Sequence, residues 1–389
     1  MINKTLFLIG SGIIPDETDF LFQRLFNLVG GASKVKLGII AESTYEDVVS
    51  VEYLTSDLLN CGLVNSQIDW ININDNNKNS PEIVSRIKTR NIFYFTGGSQ
   101  DRQLFGVLYD GLANDERFES LALKTIRQLI DSGQAIYAGH SAGTMLSQGD
   151  VLIVGGDSYE ALINGSYDVK DNSAGDADLI LDYEGGLSFF NYGTIDSHFA
   201  YRGRQGRLIR TIVDSKNRFG FGIDNVSAAL IKITDTTATM ECIGTGIHII
   251  DDIEVSIPSN NPKKISNLKM HRLSNGDIYN LILNTITYRG KRLVTGRERI
   301  KQIRISNDIL SSSMNKNENG ERANPDEWDK IVKELLLSIY QSTTGYSFEQ
   351  PQVKIVFTKK QNTRVYARIK NKNVENYSYE NLYVDIILP

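Results

Sequence analysis

"YAGHSAGTML", residues 137–146, carries the decision about the fold. An apolar run from Ala135 to Tyr137 passes through Gly139-His140-Ser141-Ala142-Gly143 into Thr144-Met145-Leu146. A strand that ends in small residues and turns at once into a helix fits G-x-S-x-G. In that pattern glycines relieve Cβ clashes at a sharp turn and the serine Oγ projects above a sheet. The backbone N–H of Ala142, at the helix start, is then placed to donate to an oxyanion. Taken alone, the turn has two readings. Ser141 is a nucleophile on a pedestal, or it is one more small residue packed under a helix, because five-letter patterns with two fixed glycines recur by chance.

Upstream, strand and helix signals alternate. Apolar, β-rich runs at Thr5–Gly10, Val35–Ala41, Ile68–Ile73, Asn91–Thr96 and Ala135–Ala138 predict strands. The segments between them have helical periodicity: "TDFLFQRLFNLV", "TYEDVVSVEYLTSDLLN", "PEIVSRIKT" and "RFESLALKTIRQLIDSG". In the last, Leu121, Ile126 and Leu129 form the expected apolar stripe, and Gly133 stands where a C-cap belongs. Short apolar strands joined by helices imply right-handed crossovers and a parallel sheet, with ligands at the carboxyl ends of its strands. Gly97-Gly98 and the Ser141 turn both fall at such ends.

Beyond Leu146 the pattern turns to strands and turns, broken by a helix over Arg204–Ser215. Short strands and turns fill Lys263–Ile305, and the Ser- and Asn-rich stretch that follows reads as a linker. A helix then starts near Pro325, with Trp328, Ile331, Val332, Leu335, Leu336 and Ile339 on one face, and three strand candidates follow. Four segments are expected: a catalytic α/β domain over 1–262, a β-rich extension over 263–308, a linker over 309–325 and a small α+β module over 326–389.

Composition excludes several classes. The 389 residues carry 42 Lys and Arg against 47 Asp and Glu, a net charge of -5 that argues against general nucleic-acid binding. Cys61 and Cys242, the two cysteines, offer neither a disulfide scaffold nor a cysteine-rich zinc site. The four dispersed histidines form no H-x-x-x-H pattern, so neither a metal nor a cofactor is expected. Gly10-Ser11-Gly12 lacks the third glycine of a dinucleotide fingerprint and reads as a turn. No apolar run reaches the ~20 residues of a membrane helix, and the N-terminal run is short for a signal peptide, so a cytoplasmic protein is expected.

A serine nucleophile needs a base. His140 is adjacent to Ser141 and should point away on so tight a turn. His248 lies in an apolar strand and reads as structural, and His271 reads as peripheral. His198 remains, in "TIDSHFAYRGRQGRL", between Asp196 and the arginines Arg202, Arg204 and Arg207. Arginines at these spacings fork onto a carboxylate or phosphate, or simply line a solvated helix face.

"FTGGSQDRQL" (95–104), "AGHSAGTML" (138–146), "IDSHFAYRGRQGRLIR" (195–210) and "FGIDNVSAALI" (221–231) resemble, in order and spacing, the motifs of the cyanophycinase family. That serine peptidase family also contains aspartyl dipeptidase, and the resemblance covers about residues 1–255. It implies a flavodoxin-like α/β domain similar to class I glutamine amidotransferases. It further implies Ser141 as nucleophile, His198 as general base, and the N–H groups of Gly98 and Ala142 as oxyanion hole. Gln100, Asp196 and Arg204 match positions that hold substrate. The expected substrate is an aspartate-rich peptide, cleaved at aspartyl or β-aspartyl bonds, and a homodimer is an admissible assembly.

The sequence departs from the family at three places. Asp224-Asn225 stands where cyanophycinases have Asp-Glu, whose Glu completes their triad. Asn225 can orient a histidine tautomer but cannot stabilise an imidazolium by charge. Asp224 or Asp196 is the alternative orienting acid. Ser99 replaces an Asn, and His140 replaces a residue that is usually Thr. The rival from another class is a non-catalytic binding or scaffold protein on the same fold. An α/β-hydrolase esterase also uses G-x-S-x-G, but it orders its triad Ser, acid, His with a late histidine, and nothing after His271 supplies one.

Overall fold

In the computed structural model, Ile136–His140 pairs in parallel with Asn3–Ile9 on one side and with Ile92–Phe95 on the other. Leu37–Ile40 and then Ile68–Trp70 continue the parallel set outward. Ser227–Thr234 runs antiparallel beside Asn3–Ile9, and Ala238–Gly244 follows it. The structure describes residues 2–41, 45–113, 116–251, 263–294, 302–370 and 373–389. The boundary expected at 262 and the end of the resemblance near 255 lie outside them, as does Thr44 at the start of the second helical segment.

The chain divides into two compact units, the first built from Met1–Ser147, Val226–Gly244 and Tyr279–Thr285. Its parallel strands alternate with helices at Asp19–Asn27, Tyr45–Asn60, Pro81–Ile87 and Leu121–Asp131, giving the flavodoxin-like α/β arrangement. Asp19–Asn27 buries Leu21, Phe22, Leu25 and Phe26 against sheet residues such as Phe7 and Ile39. Each of these large side chains contributes roughly 1.5–3 kcal/mol by leaving water.

The stripe expected on the fourth helix is corrected. Ser120 accepts the N–H of Leu123 as N-cap, and the buried face is Ala122, Leu123, Ile126 and Ile130, leaving Leu121 exposed. The cap fixes where the helix begins, and Leu121, at the first helical position, lies off the buried face. Gly133 follows the C-cap with φ of 74°, the left-handed stop expected of it.

The second unit comprises Gln148–Asn225, Thr245–Ile278 and Ile286–Pro389, so it draws on all four of the composition-defined segments. Its sheet runs in the order Thr194–Asp196, Phe219–Ile223, Ile247–Asp251, Lys264–Leu273, Asn373–Ile387 and Lys354–Lys370. Two of the late strand candidates merge into the single strand Lys354–Lys370. Gln205–Ser215 and Glu327–Leu336 are its long helices, and Ile339 falls past the end of the second and is exposed.

The polar stretch 309–325 is held locally. Asp308 accepts the Ser312 N–H and the side-chain amides of Asn315 and Asn324, and Ile309 and Leu310 are buried.

Candidate active site

Ser141 stands between Ile136–His140 and the short helix Ala142–Met145, at φ 52° and ψ -115°. A non-glycine residue rarely occupies that region, and such strain persists only where the surroundings over-determine it. Here they do. The Ser141 N–H donates to the Ile9 carbonyl, Thr144 Oγ1 donates to the carbonyls of Ile9 and Gly139, and Tyr137 donates to the Gly143 carbonyl at 2.6 Å. Gly143 must be glycine because a Cβ there would sit 2.1 Å from the Phe95 carbonyl oxygen.

The Gly97-Gly98 turn lies beside it. A Cβ on Gly97 would approach Ser141 Cβ at 3.4 Å, and Gly98 has φ of 129°. Gly97 donates its N–H to Nε2 of His140 at 3.0 Å, and the His140 ring tilts against Tyr94. Burial drives the His140 pKa down to about 4, so the ring is a neutral acceptor at physiological pH. The side-chain amide of Gln100, just past this turn, lies 3.8 Å from Met145 Sδ.

The second unit holds the other residues. His198 follows the strand Thr194–Asp196, buried and at φ 49°. Its Nδ1 lies 3.1 Å from Oδ1 of Asn225, which follows the neighbouring parallel strand Phe219–Ile223. An amide oxygen only accepts, so this contact puts the proton on Nδ1 and leaves Nε2 as the basic nitrogen.

Asp196 is fully buried. It takes Arg207 bidentately, at 2.7 Å to Nε and 2.6 Å to Nη2, and Arg204 at 3.3 Å. Arg204 also donates to the Ser197 carbonyl at 2.8 Å. Burial first, and the charge of Arg207 second, push Arg204 well below the usual guanidinium range; Arg202 is lowered by the same two causes. Positive charge is therefore crowded around a single carboxylate.

Asp224, the alternative orienting acid, contacts groups other than the His198 ring. Its Oδ1 accepts the Ala200 N–H at 3.1 Å, and its Oδ2 lies 3.2 Å from Nε2 of His248. Asp329, on Glu327–Leu336, reaches the same nitrogen at 3.3 Å, and Arg272 Nε lies 3.3 Å from that Asp329 oxygen. Burial alone would lower the His248 pKa, but Asp329 and Asp224 raise it to about 9. Burial likewise opposes ionisation of Asp329, yet His248 and Arg272 hold it below the usual carboxylate range.

Asp224, His248 and Asp329 bring three ligand-type atoms within 4.8 Å of one another. Arg272, 3.7 Å from Asp224 and 3.3 Å from Asp329, already supplies a cation there, so the donor set suits an ion-pair cluster better than a metal. Sequence reasoning took His248 as structural and missed Asp329. The available signal was an acid at 329, on the flank of a helix that buries Trp328, Val332 and Leu336. His271, read as peripheral, accepts the Asn381 N–H, and burial lowers its pKa to about 4.

The parallel sheet with its flanking helices defines an α/β protein, and Ser141 stands on a strand-to-helix turn at the carboxyl edge of that sheet. No family model matches the chain. It is 29% identical over 214 residues to a cyanophycinase of Nostoc sp. (53% of this chain, 62% of that one). It is 30% identical over 200 residues to a cyanophycinase of Trichormus variabilis (50% and 58%). The chain thus spans somewhat under two thirds of the length of these curated relatives. The crystal structure of a peptidase from an acI-B1 actinobacterium superposes with a TM-score of 0.46 at 16% identity, covering 64% of this chain and 91% of that one. The chain is thus similar to cyanophycinases over about half of its length. Among the described residues, no helix is long and apolar enough to cross a membrane.

Proposed function

We propose that the chain is a serine exopeptidase that hydrolyses aspartyl or β-aspartyl peptide bonds. The observation that carries the reading is the strained Ser141 turn at the carboxyl end of a central parallel strand, in a chain similar to cyanophycinases. In this reading Ser141 Oγ attacks the scissile carbonyl carbon while Nε2 of His198 takes its proton. The N–H groups of Gly98 and Ala142 receive the negative charge that develops on the carbonyl oxygen. The imidazolium then returns the proton to the leaving amine, and water repeats the sequence on the acyl-enzyme. Gln100 and Arg204 hold the substrate, Arg204 taking a carboxylate. Asp196 acts through Arg204 rather than on the substrate, since its oxygens face Arg204, Arg207 and the Ser197 N–H.

The test is incubation with cyanophycin and with a panel of Asp-X and β-Asp-X dipeptides, alongside Ser141→Ala and a serine-reactive phosphonate probe. Turnover and labelling in the wild type, both absent in Ser141→Ala, support the reading. A chain that neither turns over any of these peptides nor takes the probe is the non-catalytic binding protein that Asn225 favours.

A further inference from the structure

The structure assigns Asp329, Arg272, His248 and Asp224 a role beyond folding: together they form a buried ionic quartet that positions His198 and Asn225. Asp329 and Arg272 are thus positioning residues of the site, although both lie past the last shared motif, which ends at residue 231. This inference rests on the reading of His198 as the base.

Three routes connect the quartet to the two residues. Asp224 holds the loop just past His198 by accepting the Ala200 N–H at 3.1 Å. The Phe199 ring, next to His198 in the chain, packs on the His248 imidazole with centroids 5.2 Å apart. On the other side, Arg272 donates to the Thr245 carbonyl at 3.1 Å, and the Thr245 hydroxyl donates to the Asn225 carbonyl at 2.7 Å. Arg272 is itself fixed by the Tyr377 carbonyl at 2.8 Å and by the Tyr377 ring, 4.5 Å from its Cζ.

Charge explains why all four are needed. Two carboxylates face two cations, so the cluster is neutral as a set, and removing one carboxylate leaves an uncompensated buried charge. Asp326, on the same stretch as Asp329, is acted on by Asp329, Asp224 and His248 of the cluster and by the exposed Lys330. A left-handed backbone at His198 is held by such neighbours rather than by intrinsic preference, so loosening them moves the imidazole.

The experiment compares the full chain with Asp329→Asn and Asp329→Glu, using 15N-histidine NMR together with kinetics on an aspartyl dipeptide. Four histidines make each imidazole signal assignable. Asp329→Asn is expected to shift and broaden the His198 signals and to lower kcat at least tenfold, with KM changed less than threefold. Asp329→Glu, which restores the charge, is expected to recover much of both and covers the case in which Asp329→Asn does not fold. Folded Asp329→Asn with His198 signals and kcat like the wild type overturns the inference. His198 signals perturbed in Asp329→Asn, in a protein whose wild type turns over no peptide, leave the positioning role intact and count against the peptidase reading alone.

Discussion

Nδ1 of His198 meets an amide oxygen, Oδ1 of Asn225, at 3.1 Å, where cyanophycinase-like relatives are expected to place a carboxylate. With its oxygen toward the ring, the amide orients the imidazole and puts the proton on Nδ1. It gives no charge to an imidazolium, and the nearest-in-sequence acid, Asp224, is committed to His248 and the Ala200 N–H. In the proposed mechanism the base therefore keeps its orientation and forgoes electrostatic help.

Asn225→Asp restores that help without changing side-chain size. It is expected to raise kcat/KM on an aspartyl dipeptide by about tenfold or more, through charge stabilisation of the imidazolium. A carboxylate beside His198 favours the protonated ring, so the acid limb of the pH–rate profile should also move to higher pH. An unchanged rate and limb would mean that charge at this position does not limit turnover.

His248 predicts a stability profile. Its folded pKa, about 9, is above its ordinary value of 6.5, so the folded state holds the proton more tightly than the unfolded chain. The contribution is complete below about pH 6.5, declines as pH rises, and is lost above about 9; from the size of the shift it is on the order of 3 kcal/mol. Urea denaturation at intervals from pH 6 to 9.5 should show this decline in the wild type and a flatter profile in His248→Gln. Equal slopes in the two proteins would show that the ring is not charged in the fold.

The parallel sheet was legible because its strands are short apolar runs, each bounded by a helix signal, and the Ser141 turn announced itself by its glycines. Leu121 misled because it is apolar yet stands at the first helical position after the Ser120 cap, off the face that Ala122, Leu123, Ile126 and Ile130 bury. The His198–Asn225 pair was legible only through the shared motifs, since 27 positions separate the two. Asp329 and Arg272 were not legible at all. Charges so distant in sequence are joined by strand order, which local composition does not encode. The stretch 309–325 read as a linker because Ser and Asn dominate it, yet those side chains are what fold it, by bonding to Asp308 and to local backbone groups.

Gly222→Ala tests the seat of the base. A Cβ at 222 would come 2.2 Å from the Phe199 ring, which cannot retreat freely because it packs on His248. The substitution should destabilise the protein by about 1–3 kcal/mol and displace the loop that carries His198. Activity should fall more than stability accounts for, at least tenfold under conditions where circular dichroism shows full folding. Full activity in the folded variant would mean that Phe199 does not hold the loop.

His140 supplies an acid-side counterpart to His248. Burial depresses its pKa from 6.5 to about 4, so the unfolded state binds the proton more readily. The stabilisation is present above about pH 6.5 and is lost as pH falls toward 4. A protonated ring also cannot accept the Gly97 N–H, the bond that pins the turn beside Ser141. His140→Phe keeps an aromatic ring against Tyr94 but removes the acceptor, leaving a buried N–H unpaired at a cost of about 1–3 kcal/mol. Denaturation curves between pH 5 and 6.5, where few carboxylates titrate, should slope less steeply in His140→Phe than in the wild type, the remaining slope coming from the buried His271. The variant should also lose turnover at every pH, because the adjoining Gly98 N–H is displaced from its assigned oxyanion. A His140→Phe protein that retains wild-type turnover would detach the Gly97 turn from the chemistry.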